Sequence, residues 1–413
     1  MIPAFRTIRA LLLLLMLSLP CRADGLIRVG LMRVAKPDHV TISCKAGIML
    51  DSLMGQQPLG GRISISVQGR SVELKANGTT KRIMSASLRG VSGCPVTIVA
   101  GRRIARFRGR LRFWSNEGNL VILNEVGLED YVRGVVANEM QHDWPAEALK
   151  AQAVIARTLA VRGLGAHRSE GFDVCDGSHC QVYRGVGAET PATDAAVRST
   201  AGMILTWHGS PIMSLYSSCC GGMTAASFGA GSLSNTPYLK VQKDTLNGSY
   251  ACRASPHFDW ASAFDAGALA SALNTDSRTS PGSHLRDMRV IRSDSSGRAQ
   301  YLLIDGDRER QVDAYMCWNV ICRQLGWGGI KSTRFRVAKN GRAYEFRGHG
   351  LGHGIGLCQW GALARAKAGW TSSRILAFYY PGAKLSKTRV ENTLEKRNLP
   401  AWRCVYVSRL RSE

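Results

Sequence analysis

The segment that decides the fold is Leu128–Arg162, which reads LEDYVRGVVANEMQHDWPAEALKAQAVIARTLAVR. Apolar residues recur at i, i+3, i+4, i+7 and i+8 in its first half, which is typical of an amphipathic helix. They are Leu128, Tyr131, Val132, Val135 and Val136. Glu139 follows Leu128 by eleven residues, about three helical turns, so its carboxyl group continues the apolar face. Burial disfavours a charged carboxylate, so the pattern indicates a general acid or, alternatively, a helix-end residue paired with an arginine.

A second helix is predicted after Trp144-Pro145, because proline restricts the preceding residue and fits the first helical position. One side of this helix carries small and apolar residues that allow close packing: Leu149, Ala153, Ala156 and Ala160. Gln152 lies on the same inward stripe, whereas Lys150 and Arg157 are predicted to point away from it. Two helices that meet at a corner would hold Glu139 in a rigid, partly dry place.

The two helical phrases LEDYVRGVVANEM and WPAEALKAQAVIARTLAV resemble the core motif of the stage II sporulation protein D family, which includes the amidase-enhancer proteins. Three further segments agree with the family in order: Cys175–Gly185, Ser217–Thr224 and Gly348–Leu385. In that family the glutamate of the "EM" pair is the catalytic acid of a peptidoglycan lytic transglycosylase, and it matches Glu139. Amidase-enhancer relatives are described as activators rather than enzymes, so a non-catalytic wall-binding protein is the alternative.

A cluster of potential metal ligands follows the helices. Two thiols and an imidazole, Cys175, His179 and Cys180, lie within six residues, and His167 precedes them by eight positions. Four such donors can bind zinc tetrahedrally, although the spacing departs from the usual C-x2-C arrangement. The alternative is a Cys175–Cys180 disulfide in an oxidising compartment. Some family members hold zinc in a loop of this kind beside the active site, so the resemblance implies a structural zinc ion and no other cofactor.

The resemblance also implies a groove for a sugar substrate. Gln181 and Tyr183 belong to the family-like phrase CQVYRG, and the phrase around Gly221 and Gly222 would form the groove wall. The phrase GHGIGLCQWGA resembles the second family signature, with Trp360 as an apolar platform and a cysteine where serine is commoner. The predicted substrate-binding residues are Gln152, Gln181, Tyr183, Ser217, Gly221, Gly222, His353, Gln359 and Trp360.

The predicted fold class is α+β. Short runs with period 2 and turn residues between them predict a β-rich lead-in domain over residues 24–120. It would pack on a mixed helix and strand catalytic core, residues 121–226 and 339–392, which a Ser-, Asp-, Arg- and Gly-rich inserted subdomain at 227–338 interrupts. Shorter helices are predicted at Thr193–Thr200 and near Val312–Leu325, and a basic tail at 393–413.

The N-terminus predicts export to the periplasm, the cell envelope or the medium. Arg6 and Arg9 precede the apolar run Leu11–Leu19, which is too short to span a bilayer, and Ala23 ends a cleavage-site pattern. Residues 1–23 are therefore predicted to be a signal peptide, and no later apolar run reaches 18 residues. Cys21 also permits a lipoprotein interpretation, which Pro20 disfavours because a small residue is expected there.

Charge and cysteine content limit the partners. The 54 basic and 30 acidic residues give a net charge of +24, which favours polyanions. No nucleic-acid motif accompanies it, and predicted export argues against nucleic acid, so the charge indicates anionic cell wall, lipid headgroups or polymer, or a basic surface with no specific partner. The family resemblance implies peptidoglycan glycan strands as the partner, with a cell-wall amidase as a second partner in the enhancer alternative. Removing Cys21 leaves eleven of the twelve cysteines. Candidate disulfides are Cys44 with Cys94, Cys317 with Cys322, and Cys252 with Cys219 or Cys220.

The sequence offers one compelling carboxylate, whereas most glycosidases use two. Asp143 and Glu147 are typical helix-start residues. The resemblance implies that Glu139 protonates the glycosidic oxygen between N-acetylmuramic acid and N-acetylglucosamine and then deprotonates the muramyl 6-hydroxyl. A zinc hydrolase is disfavoured, because the predicted zinc ligands are rich in thiolates and no residue next to them is suited to act as a general base.

Overall fold

The structure, a computed structural model, describes residues 25–32, 36–52, 54–232 and 236–387. The predicted signal peptide and basic tail lie outside these described residues. Helices and strands are mixed along the chain, and the first hundred described residues are mostly strand, so the predicted α+β class is confirmed. Among the described residues, no helix combines the length and apolarity needed to cross a membrane.

The N-terminal region contains twelve strands in two antiparallel sheets. They are β1 Leu26–Leu31, β2 His39–Ser43, β3 Ile48–Ser52, β4 Gly55–Pro58, β5 Arg62–Gln68, β6 Ser71–Ala76, β7 Thr79–Ile83, β8 Ser85–Gly90, β9 Val96–Ala100, β10 Arg103–Phe107, β11 Arg110–Asn116 and β12 Asn119–Gly127. Alternation places Ile63 and Ile65 of β5 inside, while the serines between and after them are less buried. One sheet has the order β1-β12-β11-β8-β3-β4, the other β10-β9-β2-β5-β6-β7, and both contribute to one apolar core.

Two helices follow β12 directly. Helix α1 spans Leu128–Glu139 and α2 spans Ala146–Arg162. The whole predicted apolar stripe of α1 is buried, with Leu128 the most accessible member at 4%. Arg157 was predicted to point away from the packed stripe, but it is fully buried, because its guanidinium binds both carboxylate oxygens of Glu129 at 2.7 and 2.8 Å. This ion pair joins α2 to the first turn of α1.

The helical core continues with short elements. They are β13 Val174–Cys175, α3 Pro191–Ser199, β14 Met203–Trp207, β15 Ser210–Pro211 and β16 Tyr216–Ser217. Strand β13 pairs in parallel with β1, which fastens the cysteine-containing loop to the first sheet. Near the C-terminus lie β27 Leu357–Cys358, α6 Gln359–Lys367, α7 Ser372–Tyr379 and β28 Lys384–Lys387. Strands β16 and β27 pair in parallel, so Ser217 lies opposite Cys358.

From Trp260 onward, buried residues of the intervening segment form an apolar core of their own. The elements of this segment are β17 Ser227–Phe228, β18 Gly231–Ser232, β19 Thr245–Leu246, β20 Ser249–Tyr250, β21 Asp259–Asp265, α4 Ala266–Leu273, β22 Asp287–Ser293, β23 Ala299–Asp305, β24 Glu309–Asp313, α5 Ala314–Leu325, β25 Phe335–Asn340 and β26 Ala343–His349. Strand β26 pairs with β21 and β25. Ala343–His349 falls within the core predicted at 339–392, but its buried Tyr344 and Phe346 pack with this segment.

All ten cysteines in the described part of the chain carry free thiols. None of the candidate disulfides is therefore formed in this structure. Cys317 and Cys322 lie five residues apart on α5, about 1.4 helical turns, and burial raises the pKa of the Cys322 thiol to about 12. Such thiols are packing residues.

Candidate functional site

Glu139 is the last residue of α1 and is 2% exposed. The helix ends there because Met140 takes an extended conformation while its N–H still donates to the carbonyl of Val136. The N–H of Val182 donates to the Glu139 carboxylate at 3.4 Å. The structure thus joins the predicted acid to the segment that follows the cysteine loop.

The cysteine loop brings together the four predicted zinc ligands. Their donor atoms lie within 4.8 Å of one another. His167 Nε2 is 3.3 Å from Cys180 Sγ, and His179 Nδ1 is 3.6 Å from Cys180 Sγ and 3.7 Å from Cys175 Sγ. Zinc–sulfur and zinc–nitrogen bond lengths in a tetrahedron give donor separations of roughly 3.5 to 3.8 Å. These two thiols and two imidazoles therefore fit a closed zinc site.

Neighbouring groups orient this cluster. The Glu170 carboxylate lies 2.7 Å from His167 Nδ1, the contact that usually fixes a metal-binding histidine with its other nitrogen toward the ion. Asp176, between the two cysteines, accepts a hydrogen bond from the Met32 N–H at 2.8 Å. Burial raises the pKa of Asp176 to about 6. The loop is therefore held against β1 by side chains as well as by β13.

The two residues predicted from the CQVYRG phrase occupy different places. Gln181 is buried between two tyrosines: it accepts from the Tyr131 hydroxyl at 3.4 Å and donates to the Tyr216 hydroxyl at 3.3 Å. Tyr183 instead packs in the first core, 5.0 Å from the Tyr131 ring, and its hydroxyl donates to Asn124 at 2.8 Å. The structure gives Tyr183 a packing role, because both its ring and its hydroxyl have partners inside the protein.

The predicted groove wall is a tight glycine turn. Gly221 and Gly222 have φ of +69° and +95°, which side-chain-bearing residues rarely adopt. A Cβ atom on Gly221 would lie 2.8 Å from the backbone of His349, and one on Gly222 would lie 2.7 Å from the Tyr250 ring. Both glycines are thus required by close approach of other segments. Ser217, before the turn, is 3% exposed.

The glycine-rich signature meets α2 through its glutamine. Gln359, at the start of α6, donates from Nε2 to Gln152 Oε1 at 3.3 Å, and both side chains are buried. The Trp360 ring is partly exposed and contacts the Trp144 ring edge-on at 5.5 Å. Trp360 and Trp144 therefore form a surface-accessible aromatic pair beside the buried amides, as an apolar platform for a ring would require.

His353 is buried and neutral. Its Nδ1 accepts from the Ile355 N–H at 2.9 Å, which places the ring proton on Nε2. Burial, and then the positive charge of Arg298, lowers the pKa of His353 to about 3. Sequence reasoning missed Arg298, because nothing distinguishes this arginine among the many in its segment.

Three predicted substrate-binding residues each carry a buried polar atom without a hydrogen-bond partner among the described residues. These atoms are Gln152 Nε2, Ser217 Oγ and His353 Nε2. Buried polar groups are normally paired, so such atoms need an explanation, and a polar ligand provides one. Gln152 bonds to Gln359, whose neighbour Cys358 pairs with Ser217. The arrangement is thus a candidate site for a ligand rich in hydroxyl or amide groups.

The buried Glu139, the cysteine–histidine loop and Gln152 all lie in a stretch of the chain that is similar to known proteins. A family model described as stage II sporulation protein matches residues 116–207, and a model described as a domain of unknown function matches residues 233–356. An uncharacterized protein of Brachyspira hyodysenteriae is 31% identical over 68% of this chain and 72% of its own length.

Two named relatives come from Bacillus subtilis. Its stage II sporulation protein D is 29% identical over 77% of this chain and 87% of its own length. Its amidase enhancer is 33% identical over 62% of this chain, which spans 40% of that longer protein. The chain belongs to the stage II sporulation protein D family that includes the amidase enhancers.

Proposed function

We propose that this chain is an exported lytic transglycosylase that cleaves peptidoglycan glycan strands with Glu139 as its single acid and base. Family membership supports a role in the cell wall, and the predicted signal peptide supports export. The observation that carries the proposal is the buried Glu139 carboxyl group, which contacts Val182 next to Gln181. A buried carboxyl group is a suitable proton donor, because its charged form is disfavoured.

The proposed reaction needs neither water nor a second carboxylate. Protonated Glu139 donates its proton to the oxygen between N-acetylmuramic acid and N-acetylglucosamine, and the bond from that oxygen to muramyl C1 breaks. The acetamido carbonyl of the same muramyl residue stabilises the positive charge at C1. The Glu139 carboxylate then takes the proton of the 6-hydroxyl as its oxygen bonds to C1. This forms the 1,6-anhydro ring and restores the protonated acid.

The unpaired atoms fit the role of substrate binding. Gln152 Nε2 and His353 Nε2 are donors, and Ser217 Oγ can donate or accept, so together they complement the hydroxyl and acetamido groups of a sugar. Trp360 offers an apolar face at the accessible side. The net charge of +24 favours approach to an anionic cell wall.

Zinc bound by His167, Cys175, His179 and Cys180 would act as a structural cross-link, since four protein ligands leave no open position. The cross-link would stabilise the segment from Cys180 to Val182, whose N–H contacts Glu139. The chain's own residues would carry out every step of the reaction.

The test is digestion of purified glycan strands with detection of anhydro-muramyl ends by mass spectrometry. Glu139→Gln keeps shape and hydrogen bonding but removes the transferable proton, so the rate should fall at least about 10²-fold while glycan binding persists. Asp143→Asn is the matched control, because Asp143 is an exposed carboxylate four residues away. Parent-like release by Glu139→Gln would refute the proposed acid.

The second candidate is an amidase enhancer without its own activity, which the 33% identity to the Bacillus subtilis amidase enhancer favours. In this case neither the parent nor Glu139→Gln would release anhydro-muramyl ends. Both would instead increase the rate of an added cell-wall amidase on intact peptidoglycan. The same two proteins therefore distinguish the two functions.

A further inference from the structure

A second group of metal-binding side chains lies apart from the cysteine–histidine loop. Cys220, Asp244, Cys252 and Cys358 are all buried, and their ligand atoms lie within 4.8 Å of one another. They come from three segments: the glycine turn, the β19–β20 hairpin region and the residue before α6. No pattern of sequence spacing would have grouped them.

The distances suit one tetrahedral ion. The sulfurs of Cys220 and Cys252 are 3.7 Å apart, and Cys220 Sγ is 3.1 Å from Asp244 Oδ2. Zinc bonded to sulfur and carboxylate oxygen gives donor separations of roughly 3.4 to 3.8 Å. Both separations therefore lie within a few tenths of an ångström of those that zinc coordination requires.

Backbone N–H groups already point at one sulfur. Cys358 Sγ accepts from the N–H of Cys220 at 3.2 Å and from the N–H of Gly361 at 3.4 Å. Cys358 is also the N-cap of α6, where the helix dipole favours negative charge. Hydrogen bonds to the ligands are usual around metal sites, and a thiolate uses them better than a neutral thiol does.

Two buried arginines balance the charge of such a site. Arg365 is fully buried and binds Asp244 Oδ1 at 2.6 Å. Arg298 is buried too, and its guanidinium donates to the Cys220 and Met223 carbonyls, with no carboxylate within ion-pair distance in the described chain. Three thiolates, one carboxylate and one divalent cation carry a net charge of −2, which these two guanidinium groups offset. A buried arginine without an anion is otherwise costly.

We propose that Cys220, Asp244, Cys252 and Cys358 bind one zinc ion, which joins the glycine turn to the start of α6. Thiolate-rich donors select zinc among the common divalent metals. The site borders the proposed groove, since Cys220 precedes Gly221 and Cys358 precedes Gln359. The rival for these thiols is a Cys220–Cys252 disulfide.

The test measures zinc per folded chain by elemental mass spectrometry after chelator-free purification. Cys252→Ser should lose one zinc per chain relative to the parent, whatever the first cluster holds. Cys317→Ser is the matched control, because Cys317 is an equally buried thiol outside both clusters, and its zinc content should not change. Equal zinc in the parent and Cys252→Ser would overturn the proposal.

A measurement on a chain with intact second-site ligands covers the case in which Cys252→Ser does not fold. X-ray absorption of the zinc retained by Cys175→Ser should show a shell of three sulfurs and one oxygen. The absence of zinc from this variant, or a parent mass that shows a Cys220–Cys252 disulfide, would refute the site. Glu139→Gln should keep the full zinc content, so failure of the proposed reaction and failure of this site are separate outcomes.

Discussion

The buried imidazole of His353 predicts a specific loss of stability in mild acid. Its pKa lies at about 3 in the folded chain, against an ordinary 6.5, because burial and Arg298 disfavour the charged ring. When the pH falls from 7 to 5, the unfolded chain gains a proton on this residue and the folded chain does not. The unfolded state binds more protons, so the free energy of unfolding decreases as the pH falls.

The size of the effect follows from the two pKa values. With 6.5 for the unfolded and about 3 for the folded chain, linkage gives a loss of about 2 kcal/mol between pH 7 and pH 5. The loss would continue until the pH reaches about 3, where the folded chain also takes up the proton. Asp176 contributes the opposite slope, because its raised pKa of about 6 makes the folded chain bind more protons.

The assay compares the parent with His353→Asn by urea unfolding at pH 7 and pH 5. Asparagine Oδ1 can take the position of Nδ1 and accept from the Ile355 N–H, and it does not titrate in this range. The parent should lose about 2 kcal/mol more than the variant, and the contribution of Asp176 cancels in this difference. Equal losses would show that His353 is not held neutral by its surroundings.

Three further predictions concern the other parts of the site. Cys175→Ser should lose one zinc per chain, measured by metal analysis, and should unfold at a lower temperature, measured by calorimetry. A parent protein with a Cys175–Cys180 disulfide and no metal in this loop would contradict this prediction. Gln359→Ala should weaken the binding of glycan strands about tenfold, which corresponds to one lost hydrogen bond of about 1.4 kcal/mol. Gln311 is exposed, so Gln311→Ala is the control and should leave the affinity measured by calorimetry unchanged. Gly221→Ala should lower the free energy of unfolding by about 2 kcal/mol in urea, because φ is +69° and the added Cβ meets His349, whereas Gly187→Ala, with open space around it, should cost little.

Local patterns were enough to predict the helices that carry the site. The apolar stripe of α1 and the proline before α2 predict both helices, because the spacing of apolar residues along the chain indicates which helix positions are buried. Thr193–Thr200 was placed two residues late: the helix begins at Pro191, because Thr190 caps it with reciprocal bonds to Thr193. The threonine pair Thr190 and Thr193 is itself a local sequence signal for this helix start.

Contacts between distant segments could not be predicted in this way. The burial of Arg157 depends on Glu129, 28 residues earlier, and each residue alone looks like a solvated charge. The parallel pairing of Ser217 with Cys358 depends on tertiary structure in the same way. Spacing alone could not show which thiols meet: the sulfurs of Cys220 and Cys252 lie 3.7 Å apart, whereas Cys322 Sγ contacts the Ile330 carbonyl at 3.4 Å.

The strands around the proposed groove explain why such a site would need metal ions. The segments that carry several predicted groove residues contain strands of only two residues: Val174–Cys175, Tyr216–Ser217 and Leu357–Cys358. Two-residue strands make few backbone hydrogen bonds, so they hold a side chain less firmly than a long strand or helix does. Two of these strands contain a cysteine of one of the two clusters, and the third ends three residues before Cys220. Zinc in both clusters would therefore fix irregular segments at the points where positioning of the sugar requires rigidity.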